Sequence, residues 1–551
     1  MLIKISLLFS YLRGMKGLNM KHGRLFLFFI FFTLLILAFT YIICFNVLRN
    51  QHQSSHEFPF SMLNATIKWV TYSLAPTLWS PPVIGDINND GMLEVVIAGT
   101  TANGDCGVWA LNLKNGSIIW NTTVSTYPLV APLSIYNLDK DRYLEILVDT
   151  KTNIYILDGL KGRLEFSLNT TGFARPLTDI NNDGVGEIIV TKKHDLIVYS
   201  GLNGSILWKL SWNGLFSKFA FVDFNYDGLW EIVVTYDSNG THRFPMPDTL
   251  ILLSADGTLL RSIRLNLSSG DYIFSEPIIV DINKDNSLDV FLSSVYSCFA
   301  IDLSSGKILW QLNYLDYLDE HAKKYITWNF GVFPSIGDIN SDGELEIVVV
   351  SAYLMYIISN DGKLLYYTLL PEYNFIYEGF GAIGDVDGDN RSEIVIGGIH
   401  YIWVFDWDEK RFYFTGIGWD QDAKPVTLID IDEDFDVDVL VTGTDAVFAI
   451  DLLNSGFRID FSFPSINGSY IGNYMLMDPD LDGLSTYSER VIGSNPYSHD
   501  SDEDGYGDGY EVANNMNPLK ATGRPTRSSN SLVIWVAIPV SYTHLTLPTT
   551  E

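Results

Sequence analysis

Oxygen-bearing side chains recur in this sequence at one fixed spacing. In GDINNDGMLEVVIAG (85–99) they stand at Asp86, Asn88, Asp90 and Glu94, positions 1, 3, 5 and 9 of a nine-residue loop, and the chain then runs straight into a β-branched stretch. Alternate oxygens around a tight turn, closed by a carboxylate, suit one hard cation held at about 2.3 to 2.6 Å. Calcium accepts such an irregular all-oxygen shell, whereas magnesium asks for a stricter octahedron and keeps more water, so Ca2+ is the expected ion.

The same spacing returns along the chain. The further sets are Asn137, Asp139, Asp141 and Glu145; Asp179, Asn181, Asp183 and Glu187; Asp223, Asn225, Asp227 and Glu231; and Asp281, Asn283, Asp285 and Asp289. They continue as Asp338, Asn340, Asp342 and Glu346; Asp385, Asp387, Asp389 and Glu393; and Asp430, Asp432, Asp434 and Asp438. Asp, Asn and Gly also favour ordinary β-turns. A turn needs no acid at position 9, however, and all eight copies stand in one phase with the strand that follows. The second loop departs most, with Asn137 at position 1 and Arg142 where a glycine is usual.

Two longer loops follow near the C-terminus, DPDLDGLSTYSE (478–489) and DSDEDGYGDGYE (500–511). Each has carboxylates at positions 1, 3, 5 and 12 and glycine at 6, the EF-hand spacing, in which the glycine makes the sharp turn and the last Glu binds bidentately. The expected ligands are Asp478, Asp480, Asp482 and Glu489, then Asp500, Asp502, Asp504, Asp508 and Glu511, with the carbonyls of Leu484 and Tyr506 at position 7.

Loops repeated in this way need a repeated scaffold. After each nine-residue loop come a β-branched run, a second apolar run, a Gly/Asn/Asp turn and a last run that often ends in Trp, as in GVWALNLKNGSIIW (107–120), LIVYSGLNGSILW (196–208) and CFAIDLSSGKILW (298–310). With the short run before the loop, each unit supplies four strands and no helical period. Four-stranded units recurring every 42 to 58 residues predict an all-β fold, an eight-bladed β-propeller over 62–465. ATIKWVTY (65–72) reads as an extra outer strand, a candidate for closing the ring, which leaves seven blades open as an alternative.

The nine-residue loops resemble the FG-GAP or VCBS repeats of integrin-α-like propellers, whose calcium loops follow D-x-[DN]-x-D-G-x-x-[DE]. The resemblance covers about residues 80–465; it implies calcium loops joining adjacent strands of a blade and a role in adhesion or ligand binding at the cell surface. The stretches ending in G-x-x-x-W are similar to quinoprotein propeller repeats, a likeness of blade packing. The EF-hand-like pair within 474–520 resembles the thrombospondin type 3-like repeats that form calcium-stiffened stalks.

Charge agrees with this reading. The chain carries 66 acidic against 35 basic residues, a net charge of −31, and just over half of the acids stand at proposed ligand positions. Nucleic acid is not an expected partner, because a phosphate backbone would be repelled. Cys44, Cys106 and Cys298 are too few for a disulfide framework and lack the paired spacing of a zinc site.

Leu25 to Leu48 is almost wholly apolar, long enough at about 1.5 Å per residue to cross a hydrocarbon layer of about 30 Å. Lys16, Lys21 and Arg24 precede it, so the expectation is a cytoplasmic segment 1–24, a signal-anchor helix 25–48 and an extracellular remainder at the cell surface. A cleaved signal peptide would have a shorter apolar region ending in small residues, and Ile43 before Cys44 does not suit a lipoprotein signal. Nine N-x-S/T sequons, at Asn64, Asn115, Asn121, Asn169, Asn203, Asn239, Asn266, Asn390 and Asn467, fit export. Residues 521–551 read as a linker with a truncated or artefactual end, since SYTHLTLPTTE resembles translated adapter sequence.

The sequence offers neither a nucleophile elbow nor an HExxH motif. The expected function is therefore a membrane-anchored, calcium-binding extracellular propeller that binds a protein or glycan ligand or forms part of a surface structure, and not an enzyme. The alternative is a propeller enzyme, such as a polysaccharide lyase or a quinoprotein dehydrogenase, because fold alone does not decide function.

Overall fold

The computed structural model describes residues 61–452 apart from 73, 75–76, 79–81, 127–132, 178, 182, 223–229, 241–244, 286, 327–332, 352, 372–380, 390, 399–400, 419–425, 433–435 and 444, together with 501 and 518–520. The proposed anchor 25–48 and, apart from Ser501, the EF-hand-like loops lie outside the described residues. Among the described residues no helix is long and apolar enough to cross a membrane.

Eight antiparallel sheets follow one another along the chain, each a meander of neighbouring strands. Blade 1 has a first strand in two pieces, Thr77–Leu78 and Val83–Gly85, then Glu94–Thr100, Cys106–Asn112 and Ile118–Ser125. Blades 2 to 7 span 134–168, 173–211, 215–264, 278–313, 333–369 and 381–418. Blade 8 takes only Val426–Ile429, Asp438–Thr442 and Ala446–Leu452 from its own repeat.

Its fourth strand comes from the other end of the chain. With β1 as Ser61–Leu63 and β2 as Ala65–Tyr72, β2 pairs antiparallel with Ala446–Leu452, Ala65 opposite Leu452 and Tyr72 opposite Ala446. The ring thus closes through 65–72, which settles the blade count at eight and removes the seven-bladed alternative. β1 adds a parallel fifth strand to the outer edge of blade 7.

The position of a strand in its blade is written in its side chains. The second strands, such as EVVIAGT, EIIVTK and EIVVV, are buried on both faces because each blade is packed on two sides. The outer strands alternate: ILWKLS and LLRSIR are exposed at every second residue. The core accordingly lies between blades, each apolar cluster joining neighbours. Leu147 of blade 2 packs with Ile188 of blade 3, and Ile97 of blade 1 shares a cluster with Leu440 and Ile450 of blade 8.

Tryptophans fasten the outer rim. Trp120 Nε1 donates to Gly159 O at 2.7 Å, Trp208 to Ala255 O at 2.9 Å and Trp310 to Asn360 O at 2.8 Å, each reaching the outer turn of the next blade. Trp69 in β2 does the same across the seam, donating to Leu113 O at 2.8 Å. The turn glycines lie flat against these rings: a Cβ on Gly162 or Gly116 would stand 2.4 Å from Trp120 or Trp69, and both glycines have positive φ. No side chain fits there.

Candidate metal loops

Each nine-residue loop joins the first strand of a blade to the second, and its position-9 acid is the first residue of that second strand. This placement explains the loop. Glu94, Glu145, Glu187, Glu231, Asp289, Glu346, Glu393 and Asp438 are at most 4% exposed, because the strand they begin is enclosed between blades.

One oxygen of the position-9 acid accepts the backbone N–H of position 2. The distances are 3.1 Å from Ile87 to Glu94, 2.5 Å from Leu138 to Glu145, 2.7 Å from Ile180 to Glu187 and 3.1 Å from Ile282 to Asp289. Ile339 to Glu346, Val386 to Glu393 and Ile431 to Asp438 follow at 3.1, 2.9 and 2.9 Å. The second oxygen varies. In blades 3 and 6 it takes an amide N–H from Asn181 or Asn340, at 2.7 and 2.9 Å. Glu94 Oε1, Glu145 Oε1, Asp289 Oδ1 and Asp438 Oδ1 are buried without a hydrogen-bond partner, as is Asn88 Oδ1 at position 3 of the first loop.

The other positions hold the turn in shape. Asp86 accepts from the backbone of Asp90 at 3.0 Å and Gly91 at 2.7 Å, and Asp179 and Asp338 repeat this pair of contacts. Position 5 accepts from the N–H of position 7, as Asp90 does from Met92 at 2.9 Å and Asp141 from Tyr143 at 2.7 Å. Asn89, Lys284 and Ser341, all at position 4, take left-handed backbone with φ of 54 to 58°, a conformation that L side chains adopt at a cost. The loop bends there and gathers positions 3 and 5 on one side.

Carboxylate oxygens of Asp139, Asp141 and Glu145 come within 4.8 Å of one another, as do those of Asp179, Asp183 and Glu187, of Asp385, Asp387 and Glu393, and of Asp430, Asp432 and Asp438. The second loop is therefore convergent despite its Asn137, which is exposed and turns its amide to Asp141 O at 3.4 Å. The acids of the first, fifth and sixth loops share the backbone template but are not drawn together so closely. Asp223, Asn225, Asp227 and Asp434 lie outside the described residues, as do Asp478, Asp480, Asp482, Leu484, Glu489, Asp500, Asp502, Asp504, Tyr506, Asp508 and Glu511.

Crowding acids in enclosed space shifts their protonation. Burial first, and the neighbouring Asp90 and Asp86 second, push Glu94 up to about 8. Burial likewise raises Glu145 and Glu393 to about 9, Glu187 to about 8, and Asp289 and Glu346 to about 7. With no positive charge beside it, a buried carboxylate favours its neutral form. A divalent ion at the loop focus would reverse that preference.

Two features of this region are not visible in the loop motif. Lys68 of β2 reaches into the eighth loop, its Nζ 2.7 Å from both Asp432 Oδ1 and Asp438 Oδ2. Asp436, Asp438 and Asp451 form a second convergent group beside it. The signal available was the excess of acid in DIDEDFDVD (430–438), which holds six carboxylates where the other loops hold three or four. Elsewhere, Cys106 and Cys298 are buried, and the described sequon residues Asn64, Asn115, Asn121, Asn169, Asn203, Asn239 and Asn266 are all exposed.

No protein-family model and no curated protein matches the chain. Among solved structures it is similar to the V. cholerae biofilm matrix protein Bap1, at 12% identity and a TM-score of 0.51, covering 74% of this chain and 99% of that one. Quinohemoprotein alcohol dehydrogenase ADHIIG from Pseudomonas putida aligns at 11% identity and a TM-score of 0.45, over 73% of this chain and 79% of its own. BamB from Moraxella catarrhalis aligns at 11% and 0.43, over 71% and 98%. The likeness to Bap1 is one of fold, in agreement with the eight-bladed ring.

Proposed function

We propose that this chain is a cell-surface binding protein: a propeller ectodomain stiffened by calcium, anchored in a membrane through residues 25–48, and presenting its surface to an extracellular protein or glycan. The observation that carries the reading is the set of orphaned oxygens on Asn88, Glu94, Glu145 and Asp289, each buried at a ligand position of its loop. A buried carboxylate oxygen with no partner is costly unless a cation sits beside it. The donor set, all oxygen with one acid from the strand and others from the turn, is that of a calcium loop. Bound calcium would tie the first strand of each blade to the second and neutralise the acids between them.

The resemblance of the loops to FG-GAP/VCBS repeats supports the same reading, and the exposure of seven sequon asparagines suits a chain that leaves the cytoplasm. The test has two arms. Thermal unfolding of the purified chain is followed in millimolar calcium and in EGTA, and the same material is probed on glycan and protein arrays with and without chelator. A calcium-dependent melt together with chelator-sensitive binding is the expected result; superimposable melts would overturn the reading.

A further inference from the structure

Blade 8 is the one place where the first strand's loop meets a strand from the far end of the chain. Lys68 lies in the middle of β2, and its Nζ stands 2.7 Å from an oxygen at position 3 of the loop, Asp432 Oδ1, and 2.7 Å from an oxygen at position 9, Asp438 Oδ2. Those two acids and Asp430 are one of the convergent groups. The Lys68 side chain is 12% exposed and that of Asp438 is fully enclosed.

In blades 1, 2, 3, 5, 6 and 7 the corresponding acid meets backbone N–H groups and, in two of them, an asparagine amide. Among the described residues, none of those six acids forms an ion pair with an ammonium, although Lys410 feels the charge of Glu346. A metal ion would sit about 2.3 to 2.6 Å from its oxygens. The Lys68 nitrogen, within 2.7 Å of two of them, already fills that space, and two cations cannot share it.

We infer that the Lys68 ammonium is the resident cation of the Asp430, Asp432 and Asp438 focus, so that this focus takes no metal and the seam of the ring is locked by charge that the chain itself supplies. The inference rests on the calcium reading of the other loops. It follows that the focus of Asp430, Asp432 and Asp438 adds nothing to the propeller's calcium capacity, and that closure of the ring does not wait for calcium.

Bound calcium per chain, measured by equilibrium dialysis with calcium alone on the full chain, tests this. Lys68→Met frees the focus and is expected to gain one ion. Asp432→Asn leaves the count unchanged, whereas Asp139→Asn in the second loop lowers it by one. A folded Lys68→Met protein with an unchanged count, or loss of one ion from Asp432→Asn, overturns the inference. Should Lys68→Met fail to fold, Asp432→Asn still decides. Failure of the calcium reading itself registers separately, as a wild-type protein that binds no calcium and an Asp139→Asn change with no effect.

Discussion

The second and eighth blades carry acidic loops of equal length at equivalent places, and they neutralise them differently. In blade 2, Asp139, Asp141 and Glu145 converge with, among the described residues, no ion pair to a basic side chain; Glu145 keeps one oxygen orphaned and is pushed up to about 9. In blade 8, Asp432 and Asp438 hold the ammonium of Lys68, and Asp438 is raised only to about 7, burial being partly offset by that charge. One loop is built to depend on what the solution contains. The other has an ammonium on two of its carboxylates once β2 is in place, although Asp438 Oδ1 stays orphaned there as Glu145 Oε1 does in blade 2.

The largest test of this contrast is removal of the ion. If several loops each hold calcium well above its dissociation constant, each adds about 1 to 3 kcal/mol of linkage. The melting temperature in EGTA should then fall by on the order of 10 °C relative to millimolar calcium, as scanning calorimetry would register. Asp438→Asn should destabilise by about 3 to 5 kcal/mol, because removing one partner of an enclosed pair leaves the other charge unpaired. That loss is expected to be the same with and without calcium, read as a shift in the denaturation midpoint.

Trp69→Ala should cost about 3 kcal/mol, removing an aromatic contact and a hydrogen bond at the seam; Trp120→Ala is the matched control at an interior blade boundary. Glu145→Gln gives the opposite signature to Asp438→Asn: nearly neutral in EGTA, with a smaller stabilisation on adding calcium. A further test is the effect of pH on the calcium-free protein. Burial raises Glu94, Glu145, Glu187 and Glu393 to about 8 to 9 in the folded chain, against 4.5 for an ordinary glutamate. Between those limits the folded state binds more protons than the unfolded one, so stability falls as pH rises from about 5 to 9. Calcium should flatten that slope, which melting curves across the range would show.

Much of the architecture was legible because it is local and repeated. A nine-residue loop followed by a β-branched strand reports itself eight times, and its position-9 acid marks the first residue of every second strand. The tryptophans of 120, 208 and 310 announced outer strands for the same reason. The occupant of the eighth loop was not legible, since Lys68 is 364 and 370 residues distant from its partners and a lysine in an outer strand ordinarily faces water. Closure brings it inward, and nothing in the local pattern of 65–72 distinguishes that outcome from a solvated one. The blade count was likewise fixed only by pairing between the two ends.

The strands β1 and β2 also decide how the ring bears load. Tension arriving from the N-terminal side meets first three residues laid parallel on blade 7 and then eight laid antiparallel on blade 8. Two neighbouring blades therefore share the pull, and the ammonium held by two carboxylates in the wall of the ring adds an ionic tie to the second of them.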